Sequence, residues 1–388
     1  MRQVVFTANN QVELLHCGGE YFPALIAAID AARAEVYLET YIFGDDDTAT
    51  AVKAALARAA ARGVAVNVIT DWLGTGDAYS ARLKRELAHA GVHHRSFNPR
   101  FAFGVARTHR KICVVDREIA FLGGININDD LFSDDNSRLP LPAPRWDFAV
   151  RVRGPLVADI HLEMEAQWLK MGRINLRMRW ELFREVRNPP VPPAEGPMLA
   201  ALVVRDNLRN RRTIQRAYLK ALGSARRSAM LVTPYFAPGR KLRNALASAA
   251  RRGIEVTLLL GVGQFRMQDA VTRSFYPKLL RAGVTIVEYR KTQLHGKVAV
   301  VDDDWATVGS SNYDGLSLFV NQEANIVVRD EAFARRLRAL IAQGVADGTP
   351  IDRAAYANIP WYRRLWHGGA YLFYRGVLRI LTLGKYAD

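Results

Sequence analysis

The chain has 388 residues, a formal net charge of +16, a hydrophobic content of 49% and two cysteines. Its length suits two ordinary domains or one duplicated unit. Cys17 and Cys113 are too few and too distant for a disulfide frame or a thiolate metal site, which predicts a reduced, intracellular-facing protein with no disulfide partner. The positive excess predicts a polyanionic partner, whether nucleic acid or anionic lipid. No run of about 18 apolar residues is present to span a bilayer as one helix, and MRQVVFTANNQVELL lacks the apolar core of a signal peptide.

Taken in order, the elements recur. The strand-like ARAEVYLETYIF from Ala32 is followed by GDDDT at Gly44, read as a helix N-cap rather than a Mg2+ site because acids favour the start of a helix. An alanine-rich helix spans Thr48 to Gly63, its closing glycine a stop signal. Strands RGVAVNVIT from Arg62 and AGVHHRSF from Ala90 follow; His93 and His94 point to opposite faces and are read as structural. Next come HRKICVVD from His109, with Cys113 expected in the core, and the tight turn GGIN from Gly123. SDDNSRLPLPAPR, Ser133 to Arg145, reads as a loop insertion of open role before RWDFAVRVRG. In HLEMEAQW, His161 and Glu165 sit one helical turn apart but no third metal ligand accompanies them.

RNPPVPPAEGP, Arg187 to Pro197, has five prolines in eleven residues and predicts a stiff connector. Beyond it the same blocks return: ARRSAMLVTPYF from Ala225, RGIEVTLLL from Arg252, AGVTIVEY from Ala282 and HGKVAVVD from His295, at offsets of 186 to 193 residues. The helix RKLRNALASAARRG, Arg240 to Gly253, matches the alanine-rich helix of the first half. The predicted organisation is therefore a first repeat over 1–186, a linker over 187–197, a second repeat over 198–345 and a tail over 346–388. Alternating strands and helices predict an α/β fold, a mixed β-sheet flanked by helices in each repeat. The tail, WYRRLWHGGAYLFYRGVLRILTLGKYAD, mixes aromatic and basic residues, as a segment at a membrane surface does; a helix packed on the core is the alternative. Tyr41, Phe43, Tyr235 and Phe236, at strand ends, could line an acyl or headgroup channel or pack in the core.

The chemistry lies in the repeated motif. Both copies place Lys two residues after His, Asp seven after it and Asn seventeen after it: His109, Lys111, Asp116 and Asn126, then His295, Lys297, Asp302 and Asn312. Side chains two apart on an extended strand share a face, so each half offers an imidazole and a cation together, with the aspartate facing away. Two histidines suit a two-step phosphoryl displacement, one attacking phosphorus and the other moving the proton. Lysines and asparagines around the phosphate oxygens would stabilise the transition state without a metal or cofactor.

This doubled pattern resembles the phospholipase D superfamily, and its flanks, HRKICVVDREIAFLGGIN, WDFAVRVRGPLVADIH, YFAPGRKLRNAL, LHGKVAVVDDDWATVGSSNYDGLSL and NQEANIVVRD, resemble the bacterial cardiolipin synthases. The resemblance covers roughly 10–345. It implies one active site at the interface of the two repeats, with His109, Lys111, Asp116, His295, Lys297 and Asp302 as its motif residues. Of these Asp116 and Asp302 are expected to be structural. His109 is the implied nucleophile and His295 the acid/base, with Asn126, Asn312 and Ser310 in support. A histidine's second nitrogen needs a partner to fix its tautomer; Glu323, 28 residues after His295, and Asp147, 38 after His109, are the candidates, the ten extra residues falling in the insertion. The implied activity is phosphatidyl transfer from phosphatidylglycerol or another phospholipid to phosphatidylglycerol. Anionic phospholipids, cardiolipin included, are the implied partners, and the implied place is the cytoplasmic face of the bacterial membrane, with no nucleic acid. A phospholipase D-type hydrolase, a superfamily nuclease and a non-catalytic scaffold are the alternatives.

Overall fold

A computed structural model describes residues 4–101, 106–134, 138–172, 191–206, 210–315, 317 and 320–381. The first repeat contributes β1 (Thr7–His16), β2 (Glu35–Thr40), β3 (Ala65–Asp71), β4 (His93–Phe97), β5 (Ile112–Val115), β6 (Ile119–Gly123) and β7 (Phe148–Arg153). The second contributes β8 (Met198–Arg205), β9 (Ser228–Thr233), β10 (Glu255–Gly261), β11 (Thr285–Tyr289), β12 (Val298–Val301), β13 (Trp305–Gly309), β14 (Glu323–Arg329) and the short β15 (Thr349–Pro350). Their hydrogen-bonded order is β15-β11-β10-β9-β12-β13-β14-β8-β1-β7-β6-β5-β2-β3-β4. Read outward from the β1/β8 pair, the two halves have the same sequence of strands. In each, three parallel strands (β2, β3 and β4, or β9, β10 and β11) continue into an antiparallel set. β15 pairs with β11, so the second sheet reaches past residue 345 into the predicted tail.

The pattern follows from the side chains. ICVV in β5 and VAVV in β12 are buried throughout, as strands covered on both faces are. One face of the first sheet is covered by helices Cys17–Asp30, Asp47–Ala61 and Asp77–His89, the matching face of the second by Thr213–Ser224 and Arg240–Arg251. Asp46 caps the Asp47–Ala61 helix by accepting from the Ala49 amide at 2.8 Å, and Gly63 ends it at φ +88°; Gly253 ends the counterpart at +87°. The inner faces share a single core in which Phe148, Val150 and Val152 of β7 meet Val308, Ala324 and Ile326 of the second repeat. Helices Leu156–Lys170 and Glu331–Ala346 close that core from either side. Burying each such Val, Ile or Phe contributes roughly 1.5–3 kcal/mol, so the repeats are joined through apolar packing and not only through the chain.

Of the proline-rich connector, 187–190 lie outside the described residues. The rest runs without regular structure and is pinned where the Glu195 amide donates to the Asn9 carbonyl at 3.0 Å. The basic aromatic tail forms the helix Trp361–Leu381, its last seven residues, 382–388, lying outside the described residues. Among the described residues no helix is long and apolar enough to cross a membrane.

Candidate active site

His109 and Lys111, and His295 and Lys297, lie on the extended segments that lead into β5 and β12, not within the strands themselves. Each segment is held by the opposite repeat. The His109 amide donates to the Gln322 carbonyl and the His295 amide to the Trp146 carbonyl, both at 2.9 Å. Gln322 and Trp146 immediately precede Glu323 and Asp147, so these bridges carry each acid to the other repeat's histidine. Glu323 Oε2 lies 3.1 Å from His109 Nδ1, and Asp147 Oδ2 lies 2.5 Å from His295 Nδ1. The structure thus brings together both predicted acids, and exchanges them between repeats.

Two glycine turns make the approach possible. A Cβ on Gly123 would meet backbone atoms of Phe148 and Ala149 at 2.4 Å, and one on Gly309 would meet the Asn325 side chain at 2.3 Å. The next position differs between repeats. Ser310 donates through Oγ to Glu323 Oε2 at 2.5 Å and accepts from the Ala324 amide at 3.1 Å, while its carbonyl lies 3.1 Å from His109 Nδ1. Gly124 stands in the equivalent place, where a Cβ would meet Asp147 Oδ1 at 2.3 Å.

The cations are buried with the histidines. Lys111 Nζ donates to the His109 carbonyl at 2.8 Å, and Lys297 Nζ lies 2.8 Å from His295 Nδ1 and bonds its carbonyl. Burial and the neighbouring Lys297 charge bring Lys111 down to about 7; burial brings Lys297 down to about 8, against the pull of Asp147. Burial, then Lys111, lowers His109, with Glu323 opposing; burial, then Lys297, lowers His295 further. Burial thus works against a charged imidazole at both positions, while each Nδ1 faces its acid. Asn126 Oδ1 accepts from the Ile42 amide at 3.3 Å. Asn312 Oδ1 is buried and finds no hydrogen-bond partner among the described residues.

Asp116 and Asp302 are not at this site and do not join the catalytic set. They lie at the far ends of β5 and β12, in left-handed turns at φ +51° and +49°. Asp116 accepts from the amides of Arg33, Ala34 and Glu35, and Asp302 from those of Arg226, Arg227 and Ser228, at 2.7 to 3.2 Å. Each pins the entry of β2 or β9 to the motif strand; those hydrogen bonds hold Asp302 below the usual carboxylate range.

Of the aromatic candidates, Tyr41 packs edge-on to His109 with ring centroids 5.0 Å apart, and Tyr235 lines a cavity of about 410 Å3 beside the second motif. Phe43 and Phe236 are core residues. His161 pairs with Glu35 at 2.9 Å, His94 bonds Thr70 at 2.9 Å, and Cys113 is fully buried.

Three side chains at the site escaped the motif reading: Asp134, Gln264 and Gln293. Asp134 comes from the insertion, of which 135–137 lie outside the described residues, and its Oδ2 sits 3.3 Å from His295 Nε2. The ten-residue excess between His109 and Asp147 marked the segment, and Gln293 is two residues before His295, but neither signal fixed a side chain. Arg145 anchors the insertion through the Asp129 and Phe132 carbonyls at 2.6 and 3.0 Å.

Comparison with known proteins meets this geometry from the other side. The family model described as "Cardiolipin synthase, PLD-like domain" matches 25–137 and 218–344, one stretch in each repeat. Cardiolipin synthase B of Salmonella typhi is 39% identical over an alignment of 363 residues that covers 91% of this chain and 85% of that protein. Cardiolipin synthase B of Escherichia coli (strain K12) is 39% identical over 365 residues, with the same shares. The crystal structure of phosphatidylserine synthase from Haemophilus influenzae Rd KW20 superposes with a TM-score of 0.72 at 14% identity, over 98% of this chain and 97% of that one, and shares the fold. A match through both motif-bearing repeats, together with relatives alike along nearly the whole length, means that the chain belongs to the phospholipase D-like family of cardiolipin synthases.

Proposed function

We propose that the protein is a phosphatidyltransferase that makes cardiolipin through a phosphohistidine. The observation that carries this reading is the pair of buried imidazoles, each with Nδ1 held by an acid of the opposite repeat. Such a clamp leaves Nε2 as the reactive atom on both rings. His109 Nε2 attacks the phosphorus of phosphatidylglycerol; the bond from phosphorus to the headgroup oxygen breaks, and the leaving alkoxide takes the Nε2 proton of His295, whose charged form Asp134 and Asp147 flank. A hydroxyl of a second phosphatidylglycerol then gives its proton to His295 Nε2 and attacks phosphorus, and the P–N bond breaks. Lys111, Lys297, Asn126 and Asn312 surround the non-bridging oxygens, the asparagines donating through Nδ2. His109 takes the nucleophile's role because His295 Nε2 already faces a carboxylate, a setting suited to proton transfer.

The protein works at a membrane surface. The helix Trp361–Leu381 packs through Ala370, Tyr371 and Leu378 on the second repeat, with the Tyr371 and Phe275 rings 5.2 Å apart. It leaves Trp361, Leu365, Trp366, Leu372, Phe373 and Ile380 exposed among four arginines. Exposed apolar rings beside guanidinium groups match the headgroup region of anionic lipid. The cavity beside the second motif carries exposed Leu139 and Phe265 on its wall, an apolar approach for an acyl chain. The cytoplasmic leaflet is the side this reading assigns.

Purified protein in phosphatidylglycerol vesicles should yield cardiolipin and glycerol. His109→Ala should lower that yield by at least about a thousandfold, as loss of a nucleophile does. Labelled phosphate trapped at short times should map to His109. Phosphatidic acid without cardiolipin would replace the transferase reading by a hydrolase, and label on His295 would reverse the two roles.

A further inference from the structure

Asp134 is a carboxylate that the transfer mechanism above uses only as the neighbour of His295 Nε2, and its side chain, 9% exposed, stands where the incoming alcohol must arrive. Its Oδ1 is saturated: Gln264 Nε2 donates to it at 3.0 Å and Gln293 Nε2 donates to it as well. Both amides are themselves fixed. Gln264 Oε1 accepts from the Tyr235 hydroxyl at 3.1 Å, and Gln293 Oε1 accepts from the Asp134 amide at 3.2 Å. That leaves Oδ2, which points at His295 Nε2 from 3.3 Å.

This contact loses its proton once His295 has protonated the leaving alkoxide, the state that the incoming alcohol meets. A neutral imidazole has one N–H, and Asp147 at 2.5 Å from Nδ1 claims it. Nε2 then turns a lone pair toward the Asp134 carboxylate, two acceptors with no donor between them. A hydroxyl donating to Nε2 relieves one side, and an adjacent hydroxyl on the same molecule donating to Oδ2 relieves the other. A simple alcohol has a single O–H and satisfies only one of the two acceptors. An ammonium would suit the carboxylate but not its surroundings, since Lys297 and Arg145 already act on Asp134 as neighbouring cations. Gln264, Gln293 and Tyr235 also line the cavity or support its wall, so a molecule bound there extends directly from Asp134 into that space.

We propose that Asp134, oriented by Gln264 and Gln293, forms the acceptor subsite and selects a headgroup bearing a vicinal diol over simple alcohols. This rests on the transferase reading, within which it assigns the acceptor's position. The test adds 1,2-propanediol, 1-propanol or ethanolamine to the full-length protein in phosphatidylglycerol vesicles. It reads, for each, the ratio of transfer product to phosphatidic acid. The wild type should favour the diol over 1-propanol by about 10- to 100-fold, and Asp134→Asn should remove most of that preference. Gln264→Ala, at a half-exposed position, should reduce it by about threefold to tenfold in the same direction. A diol preference unchanged in both variants overturns the subsite, as does wild-type preference for ethanolamine. A wild-type protein that forms neither cardiolipin nor a phosphohistidine overturns the transferase reading itself, a result that no variant is needed to see.

Discussion

Gly124 and Ser310 occupy matching places in the two repeats and do opposite things: one makes room for an acid, the other grips one. Gly124→Ala should push Asp147 off His295 and lower turnover by about a hundredfold, the usual result of displacing a catalytic group by an ångström or so. Ser310→Ala removes one hydrogen bond to Glu323 and should cost only about tenfold. Comparable losses, measured as cardiolipin formation with folding checked by circular dichroism, would contradict the division. The lysines add a pH dependence. Lys111 near 7 and Lys297 near 8 bind an anionic phosphodiester when protonated, and that charge is lost as pH rises through these values. Initial rates at low phosphatidylglycerol should fall across about pH 7 to 9, and Lys297→Arg, slower overall, should flatten the decline because guanidinium keeps its proton. The motif histidines, lysines and asparagines were legible because their spacing repeats. Asp134 was not, since an insertion present in one repeat has nothing to be compared with.

Among the elements, the C-terminal helix is the one whose composition held two readings at once, a membrane segment and a packed helix. The structure shows the packed helix, a narrow face on the Arg266–Ser274 helix, and leaves a broad apolar and basic face turned outward. Replacing Trp361, Leu365 and Trp366 by serine should leave the fold intact and lower binding to phosphatidylglycerol vesicles by about a hundredfold or more, given the apolar area withdrawn. Cosedimentation that matches the wild type would remove the helix from the membrane reading. Strand and helix positions were readable from the alternation of β-branched runs with alanine-rich stretches. The ends of the motif strands were not: His109 and His295 precede β5 and β12 because bridges to the other repeat, invisible in local pattern, take over the backbone there.

For the whole molecule the exchanged acids make a kinetic prediction. Glu323→Gln should slow formation of the phosphohistidine on His109, while Asp147→Asn should slow the proton transfers at His295 that release the first alcohol and activate the second. Rapid-quench measurement of the labelled intermediate against product separates these. In an Asp147→Asn protein the intermediate decays slowly, by about 10- to 1,000-fold, whereas Glu323→Gln reduces its build-up. The sequence disclosed two acids and two histidines at matching intervals, but not their partners, because pairing is a property of how the inner faces of the sheets meet.

A half that lends its acid across a twofold axis and receives one back has the geometry of a symmetric pair of identical subunits. In such a pair every change is made twice, so two equivalent histidines must stay equivalent. Joined in one polypeptide, the copies are free to diverge, and here one carries ten additional residues that bring Asp134 to a single histidine. Gene fusion thus offers a symmetric machine a way to handle two molecules of the same kind as unlike, one to be cut and the other to be extended.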